Sequence, residues 1–226
     1  MNKRYFAAIF VLSLSIITTS CEKETVDSIE TEEFSNKYEH VDLGLPSGLQ
    51  WATYNVGASS PEKYGGYYAW GETRVKDSYT YDTYELWDYY TDSEKDILDF
   101  VGKDTLDFVN DVAHIKWDKN WRIPTIEEWQ ELYVNCTWTW TKKNGVNGFS
   151  VKSKTNGNSI FLPAGNRKTA RGESYQTSPN GYYWSSTIND DNRYCARGLS
   201  FSFSNIITNS SGYRAEGRNV RPVYVE

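Results

Sequence analysis

Four Asn-Gly steps, at 144–145, 147–148, 156–157 and 180–181, restrict the fold of this chain more than any other feature. Asn and Gly both tolerate positive φ, and the pair is the strongest short-range signal for a tight hairpin turn. Strand-like runs lie between and beyond these steps: Phe149 to Lys154, Ile160 to Leu162 and Tyr182 to Ser186. Further on, Leu199, Phe201 and Phe203 alternate with Ser200, Ser202 and Ser204, the period of a strand with one face in a core. Val220 to Val225 reads as a closing strand. The second half of the chain is therefore expected to be antiparallel sheet.

The first half reads differently. His40 to Val56 is expected to form strand and turn around Leu43-Gly44-Leu45-Pro46-Ser47-Gly48-Leu49. Ser93 to Val112 has helical spacing at Ile97, Leu98, Leu106, Val109 and Val112, broken at Gly102. The clearest helix starts at Thr125. Thr125 and Glu128 have capping-box spacing, and Glu127 and Glu128 suit the positive end of the helix dipole. Ile126, Trp129, Tyr133 and Cys136 are then expected on its buried face. Helices early and strands late, without strand–helix alternation, predict an α+β class.

Residues 1–20 read as an export signal. Lys3 and Arg4 precede an apolar run from Tyr5 to Ile17, and Thr18, Thr19 and Ser20 lead into Cys21. This arrangement resembles a lipoprotein signal, which implies acylation of Cys21, although Thr18 stands where such signals usually carry Leu. Residues 21–38 are expected to be an acidic, disordered tether. From Glu22 to Glu39 there are seven acidic residues against Lys23 and Lys37, with too little apolar surface to offset ordering entropy. Residues 39–226 form the folded domain. With the signal removed, 22 Lys and Arg stand against 30 Asp and Glu, a net charge of −8. No basic stripe is present, which argues against a nucleic-acid partner. Membrane association is expected through the lipid only, and the domain is expected to be monomeric. Besides Cys21 the chain has only Cys136 and Cys195, which is no disulfide framework, so packing must carry stability.

Seven strings follow one another through the domain: Val41-Asp-Leu-Gly-Leu-Pro-Ser-Gly-Leu-Gln-Trp-Ala-Thr53, Tyr68-Ala-Trp-Gly-Glu-Thr73, Trp121-Arg-Ile-Pro-Thr-Ile-Glu-Glu-Trp129, Asn135-Cys-Thr-Trp-Thr-Trp140, Ser159-Ile-Phe-Leu-Pro-Ala164, Tyr183-Trp-Ser-Ser-Thr187 and Val220-Arg-Pro-Val223. Together they resemble the Fibrobacter succinogenes major paralogous domain. That family is related to the Lcl C-terminal domains and to the wider group of C-type-lectin and formylglycine-generating folds. The resemblance implies a C-type-lectin-like fold with few helices and antiparallel sheets. It also implies an outer-membrane lipoprotein facing the cell exterior, used for recognition or adhesion. Tyr54 stands where relatives often have Cys, so a family disulfide through that position is not implied. Trp121, Trp129 and Trp184 fall in these strings and are expected in the core.

No catalytic constellation is legible. His40 and His114 are the only histidines, too few for a multi-histidine metal site, and neither has identifiable triad partners. Glu127 and Glu128 diverge at a helix start. Cys136 and Cys195 are not in the context of the formylglycine oxidation pair. Asp190 and Asp191 offer hard oxygen ligands, but the tripeptides of calcium-dependent lectins are missing. No enzyme activity, metal or cofactor is therefore expected. Tyr64, Tyr67, Tyr68, Trp70, Tyr79, Tyr81, Tyr84, Trp87, Tyr89 and Tyr90 have the makings of a sugar platform. In that reading Tyr67 to Trp70 is core and Tyr79 to Tyr90 is exposed.

Ile188 to Arg218 is dense in Asn, Ser, Asp, Arg and Tyr, the residue types of adaptable paratopes. This segment resembles the variable part of proteins diversified by retroelements at adenine-containing codons; the alternative is an ordinary polar surface. Its expected contact residues are Asn189, Asp191, Asn192, Arg193, Tyr194, Asn205, Ile206, Ile207, Asn209 and Tyr213, exposed and gathered on one face. Ile206 and Ile207 are expected to form an exposed apolar spot. The expected function is binding of an external protein or glycan. The alternative is a structural envelope or pilus-associated subunit, and an enzyme of the formylglycine-generating type ranks below both.

Overall fold

The computed structural model describes residues 38–86, 105–169, 178–192 and 194–226, with the backbone alone at 172–173. The signal, Cys21, the tether as far as residue 37, and the helical expectation over 93–104 lie outside the described residues. The described residues belong to the unit Asn36–Glu226.

The strands are β1 (His40–Asp42), β2 (Gln50–Ala52), β3 (Trp121–Arg122), β4 (Cys136–Lys143), β5 (Val146–Ser153), β6 (Ser159–Pro163), β7 (Lys168–Thr169), β8 (Gly172–Glu173), β9 (Gly181–Ile188), β10 (Cys195–Ser202), β11 (Asn205–Tyr213) and β12 (Val223–Tyr224). Two α-helices accompany them among the described residues, α1 (Val112–Lys116) and α2 (Ile126–Asn135). The strands pair antiparallel in the sheets β1-β2-β12-β3, β11-β10-β9, β4-β5-β6 and β7-β8. The class is α+β and rich in sheet. No helix among the described residues is long and apolar enough to cross a membrane.

The capping box at Thr125 forms as its spacing predicts. Thr125 Oγ1 accepts the Glu128 N–H at 3.4 Å, and Glu128 Oε2 accepts the Thr125 N–H at 2.8 Å. The Glu128 carboxylate also takes both arms of the Arg122 guanidinium, at 2.7 and 2.5 Å. The buried face of α2 is Ile126, Trp129 and Leu132. Tyr133 is not part of it: its side chain is 44 % exposed, because the i, i+3, i+6 positions turn it outward. Cys136 is buried as the first residue of β4, beyond the helix.

Two of the four Asn-Gly steps are turns. Asn144 (φ 49°) and Gly145 (φ 83°) close the β4–β5 hairpin, where both central residues need positive φ. Gly157 (φ 79°) turns β5 into β6. Of the other two steps, Asn147-Gly148 lies within β5 and Gly181 opens β9, for a different reason. A Cβ at Gly148 would come 2.3 Å from the Leu162 carbonyl oxygen, and one at Gly181 would come 2.0 Å from the Phe201 ring. Glycine there permits close packing rather than a turn.

Two clusters of buried side chains form the core. One gathers Trp70, Trp121, Trp184, Ile188, Ala196 and Val220. The other gathers Trp51, Trp129, Phe149, Leu162, Tyr183, Leu199, Phe201 and Val223. The expected core tryptophans Trp121, Trp129 and Trp184 are at most 1 % exposed. Neighbouring residues of β9 and β10 divide between the clusters: Tyr183, Leu199 and Phe201 face one, while Trp184, Ile188 and Ala196 face the other. Successive residues point to opposite faces, so the β9–β11 sheet is covered on one face at the hairpin end and on the other face at the far end.

Candidate functional site: the open faces of the β9–β11 sheet

This alternate covering leaves two open areas, diagonal to each other. At the hairpin end, Ser200 pairs with both Tyr182 and Ile207, and Ser202 pairs with Asn205. Together with Asn180 these residues line a groove of about 140 Å³. Beneath it, Leu199 and Phe201 are buried, and Tyr183 is fixed by its hydroxyl donating to the Pro163 carbonyl at 2.7 Å. Burial pushes the Tyr183 hydroxyl up to about 12, so the support is neutral and rigid.

The second open area surrounds the other end of β11. Tyr213 and Ser211 pair there with Cys195 and Arg197. The Asp191 carboxylate accepts from Arg197 Nη2 at 2.7 Å, and the Tyr213 ring meets Tyr81 edge-on at 5.8 Å.

The expected contact residues are thus divided between two faces. Between Gly198 and Ser200 the register slips: two steps along β10 match three along β11, from Ser210 to Ile207. The extra residue in β11 reverses the side-chain parity. Asn205 and Ile207 therefore share a face with Ser202 and Ser200, whereas Tyr213 shares one with Cys195. Asn209 is exposed between them, beside the slip. Asp191, Asn192 and Tyr194 are exposed near Tyr213, and Asn192 Oδ1 accepts the Tyr194 N–H at 3.0 Å. Arg193 lies outside the described residues.

Two residues of the expected set face inward. Asn189 is 4 % exposed: its Nδ2 donates to Ser211 Oγ at 2.8 Å and its Oδ1 accepts the Asp191 N–H at 3.2 Å, so it shapes the loop. Ile206 pairs with Phe201 and packs against the second core cluster. Only Ile207, at 47 % exposed, remains of the expected apolar spot. Phe203 also departs from the alternation: β10 ends at Ser202, and Phe203 in the turn is 71 % exposed.

Among the described residues of the aromatic run from Tyr64, four belong to the core. Tyr68, Trp70, Tyr79 and Tyr84 are buried. Their polar tips are satisfied inside: the Tyr79 hydroxyl donates to the Tyr67 carbonyl at 2.5 Å and the Tyr84 hydroxyl to the Trp70 carbonyl at 2.8 Å. Tyr64 and Tyr81 are exposed, while Trp87, Tyr89 and Tyr90 lie outside the described residues.

Two further features have only faint signals in the sequence. One is a hollow of about 380 Å³ on the outer face of β4–β6, walled by Thr141, Lys142, Lys143, Ser150, Ser159 and Phe161, with Glu39 and Thr53 across it. The alternation of Thr137, Thr139 and Thr141 with half-buried Trp138 and Trp140 was the available signal for that face. The other is a set of fully buried arginines, Arg214, Arg218 and Arg221. Their signal was the density of Arg around Asn219-Val-Arg-Pro-Val223. Among the described residues no group of three His, Cys, Asp or Glu side chains comes together in a metal-holding arrangement. His40 stacks on Tyr224 at 4.3 Å and His114 on Phe108 at 4.6 Å, on separate elements. Cys136 and Cys195 are both buried free thiols.

No protein-family model matches this chain, and no curated protein or solved structure matches it.

Proposed function

We propose that the protein is a recognition module of C-type-lectin-like architecture, held to the outer membrane by lipid on Cys21, and that the hairpin-end groove of the β9–β11 sheet binds an external glycan. The observation that carries this reading is the groove itself: hydroxyl and amide groups of Ser200, Ser202, Asn180 and Asn205 above a buried aromatic floor. Polar groups of fixed position on a rigid sheet suit a ligand recognised by its hydroxyls. A protein partner is the second reading, and Ile207 favours it. With Ile206 turned inward, Ile207 and the exposed Phe203 of the adjoining turn are the apolar area offered there, small for such an interface.

The test is binding of the purified full-length protein to a panel of immobilised glycans, with Ser200→Trp as the variant that fills the groove. Binding by the parent and loss in the variant, at unchanged thermal stability, is the expected result. Binding that survives the variant would place the contact elsewhere.

A further inference from the structure

Among the described residues, the groove borders a cluster in which one carboxylate meets two guanidinium groups. Glu216 Oε2 accepts from Arg167 Nη1 at 3.2 Å, and from Arg218 Nε and Nη2 at 3.2 and 2.8 Å. One carboxylate oxygen therefore serves two guanidinium groups. Both cations flank Tyr182, at 4.8 and 5.5 Å from its ring centroid, and Arg218 also lies 4.3 Å from the Trp184 ring.

Two donors in this cluster have no acceptor. Arg167 Nε and Arg218 Nη1 are both buried and without a hydrogen-bond partner among the described residues. A buried donor left unsatisfied costs ~1–3 kcal/mol, and more when it is charged. Such groups are rare in folded proteins, and a bound water or anion is one way to satisfy them. Burial lowers the pKa of Arg218 and the neighbouring Arg167 charge lowers it further, while Glu216 opposes both. A second anion would relieve each of these strains.

Tyr182 joins the cluster to the groove, because it lines the groove beside Ser200 and Ile207. The backbone next to Arg167 is tied to the same wall: the Asn166 N–H donates to the Asn180 carbonyl at 2.7 Å, and the Asn180 N–H to Asn166 Oδ1 at 3.1 Å. The Arg167 side chain is 29 % exposed, which leaves a way in, while Arg218 at 1 % lies behind it. At about 140 Å³ the groove is smaller than the ~300–1,000 Å³ clefts of drug-sized ligands, so one sugar ring or a chain end is its match.

We propose that this groove takes a carboxylate-bearing sugar, its acid group held by Arg167 with Arg218 behind it and its hydroxyls held by Ser200, Ser202 and Asn205. The proposal rests on the glycan-binding reading above and names the ligand class. A carboxylate matches the planar fork of a guanidinium better than a spherical anion does.

The experiment titrates the full-length protein with glucuronate and N-acetylneuraminate, and with glucose and N-acetylglucosamine as neutral counterparts, by calorimetry at low salt. Acetate, inorganic sulfate and a poly-glutamate peptide complete the panel. The acidic sugars are expected to bind at least tenfold more tightly than the neutral ones. Arg167→Gln is expected to abolish that preference without moving the unfolding temperature, and Arg167→Lys to restore part of it. Equal affinity for neutral and acidic sugars, kept in Arg167→Gln but lost in Ser200→Trp, would overturn the acid preference and leave the groove reading standing. Acetate or sulfate binding as tightly as the acidic sugars would overturn the sugar specificity. Binding of poly-glutamate alone would make the ligand a protein, and a folded protein that binds none of the probes would overturn the proposal outright.

Discussion

Arg221 Nε donates to the side-chain oxygen of Asn55 at 2.9 Å, across 166 positions of sequence. The same guanidinium donates to the carbonyls of Ala52 at 3.0 Å, Thr53 at 3.1 Å and Phe161 at 2.9 Å. It is fully buried and all four acceptors are neutral. Arg221→Met would strand those acceptors in the core. At ~1–3 kcal/mol per unsatisfied buried group, the loss is expected to be about 3 kcal/mol or more. For a domain of this size that lowers the Tm by about 6–12 °C in a calorimetric scan. An unchanged Tm would show that the carbonyls find water instead.

Ile206 and Ile207 are adjacent, yet they are expected to behave oppositely. Ile206 pairs with Phe201 and packs on the core; Ile207 faces solvent. Ile206→Ala is expected to cost about 1–2 kcal/mol, below the range for fully buried sites because Ile206 is half-buried. Ile207→Ala is expected to stay within about 0.5 kcal/mol. Denaturant melts of the two variants check the register slip directly, since the opposite ranking would return the strand to the other parity.

Alkaline pH is expected to destabilise the fold above about pH 10. Burial pushes the Tyr68 and Tyr183 hydroxyls up to about 12 from their ordinary value of 10. A raised pKa of this kind gives stability that is complete below pH 10 and is lost as pH rises towards 12. Arg221 acts in reverse over part of the same window. Burial lowers its guanidinium to about 10, so stability would rise with pH between there and its ordinary range. Arg218 is lowered by burial as well and adds to Arg221, while Tyr81 is pushed up to about 12 and adds to Tyr68 and Tyr183; three tyrosines oppose two arginines, and the net slope is expected to be downward. Tyrosinate absorbance should therefore show a fraction of tyrosines ionising only together with unfolding.

The two domain thiols are expected to be silent in the native protein. Both are buried, and burial pushes Cys136 up to about 11, which removes the reactive thiolate at neutral pH. Alkylation without reductant should leave Cys136 and Cys195 unmodified in buffer and modify both in denaturant, as read by peptide mass. A pair that resists in denaturant would be a disulfide. Cys21→Ala, in turn, is expected to move the protein from the membrane to the soluble fraction.

Legibility from sequence followed the range of the interactions. The helix at Thr125 was readable because its cap lies within four residues. The hairpin at Asn144-Gly145 was readable because the turn needs no partner. Asn147-Gly148 carries the same letters, but its glycine answers to the Leu162 carbonyl on β6 and not to a turn. Tyr79 and Tyr84 could not be told from a surface platform, since their hydroxyls are satisfied by distant loop carbonyls. The contact surface was half legible. Asn205, Ile207 and Tyr213 are exposed as expected, but one extra residue in β11 sends them to different faces, and a slip of that kind has no local signature.

The place of β12 carries a further consequence. Val223 sits between Trp51 on one side and Arg122 on the other, so one of the two inner strands of its sheet is drawn from residues 223–224. Contacts this distant in sequence close late and at high entropic cost. A nascent chain that has reached only residue 200 has no strand to join β2 to β3 and no Arg221 to cap the carbonyls of residues 52 and 53. Consolidation of this sheet is therefore expected to wait until residues 221–224 are available.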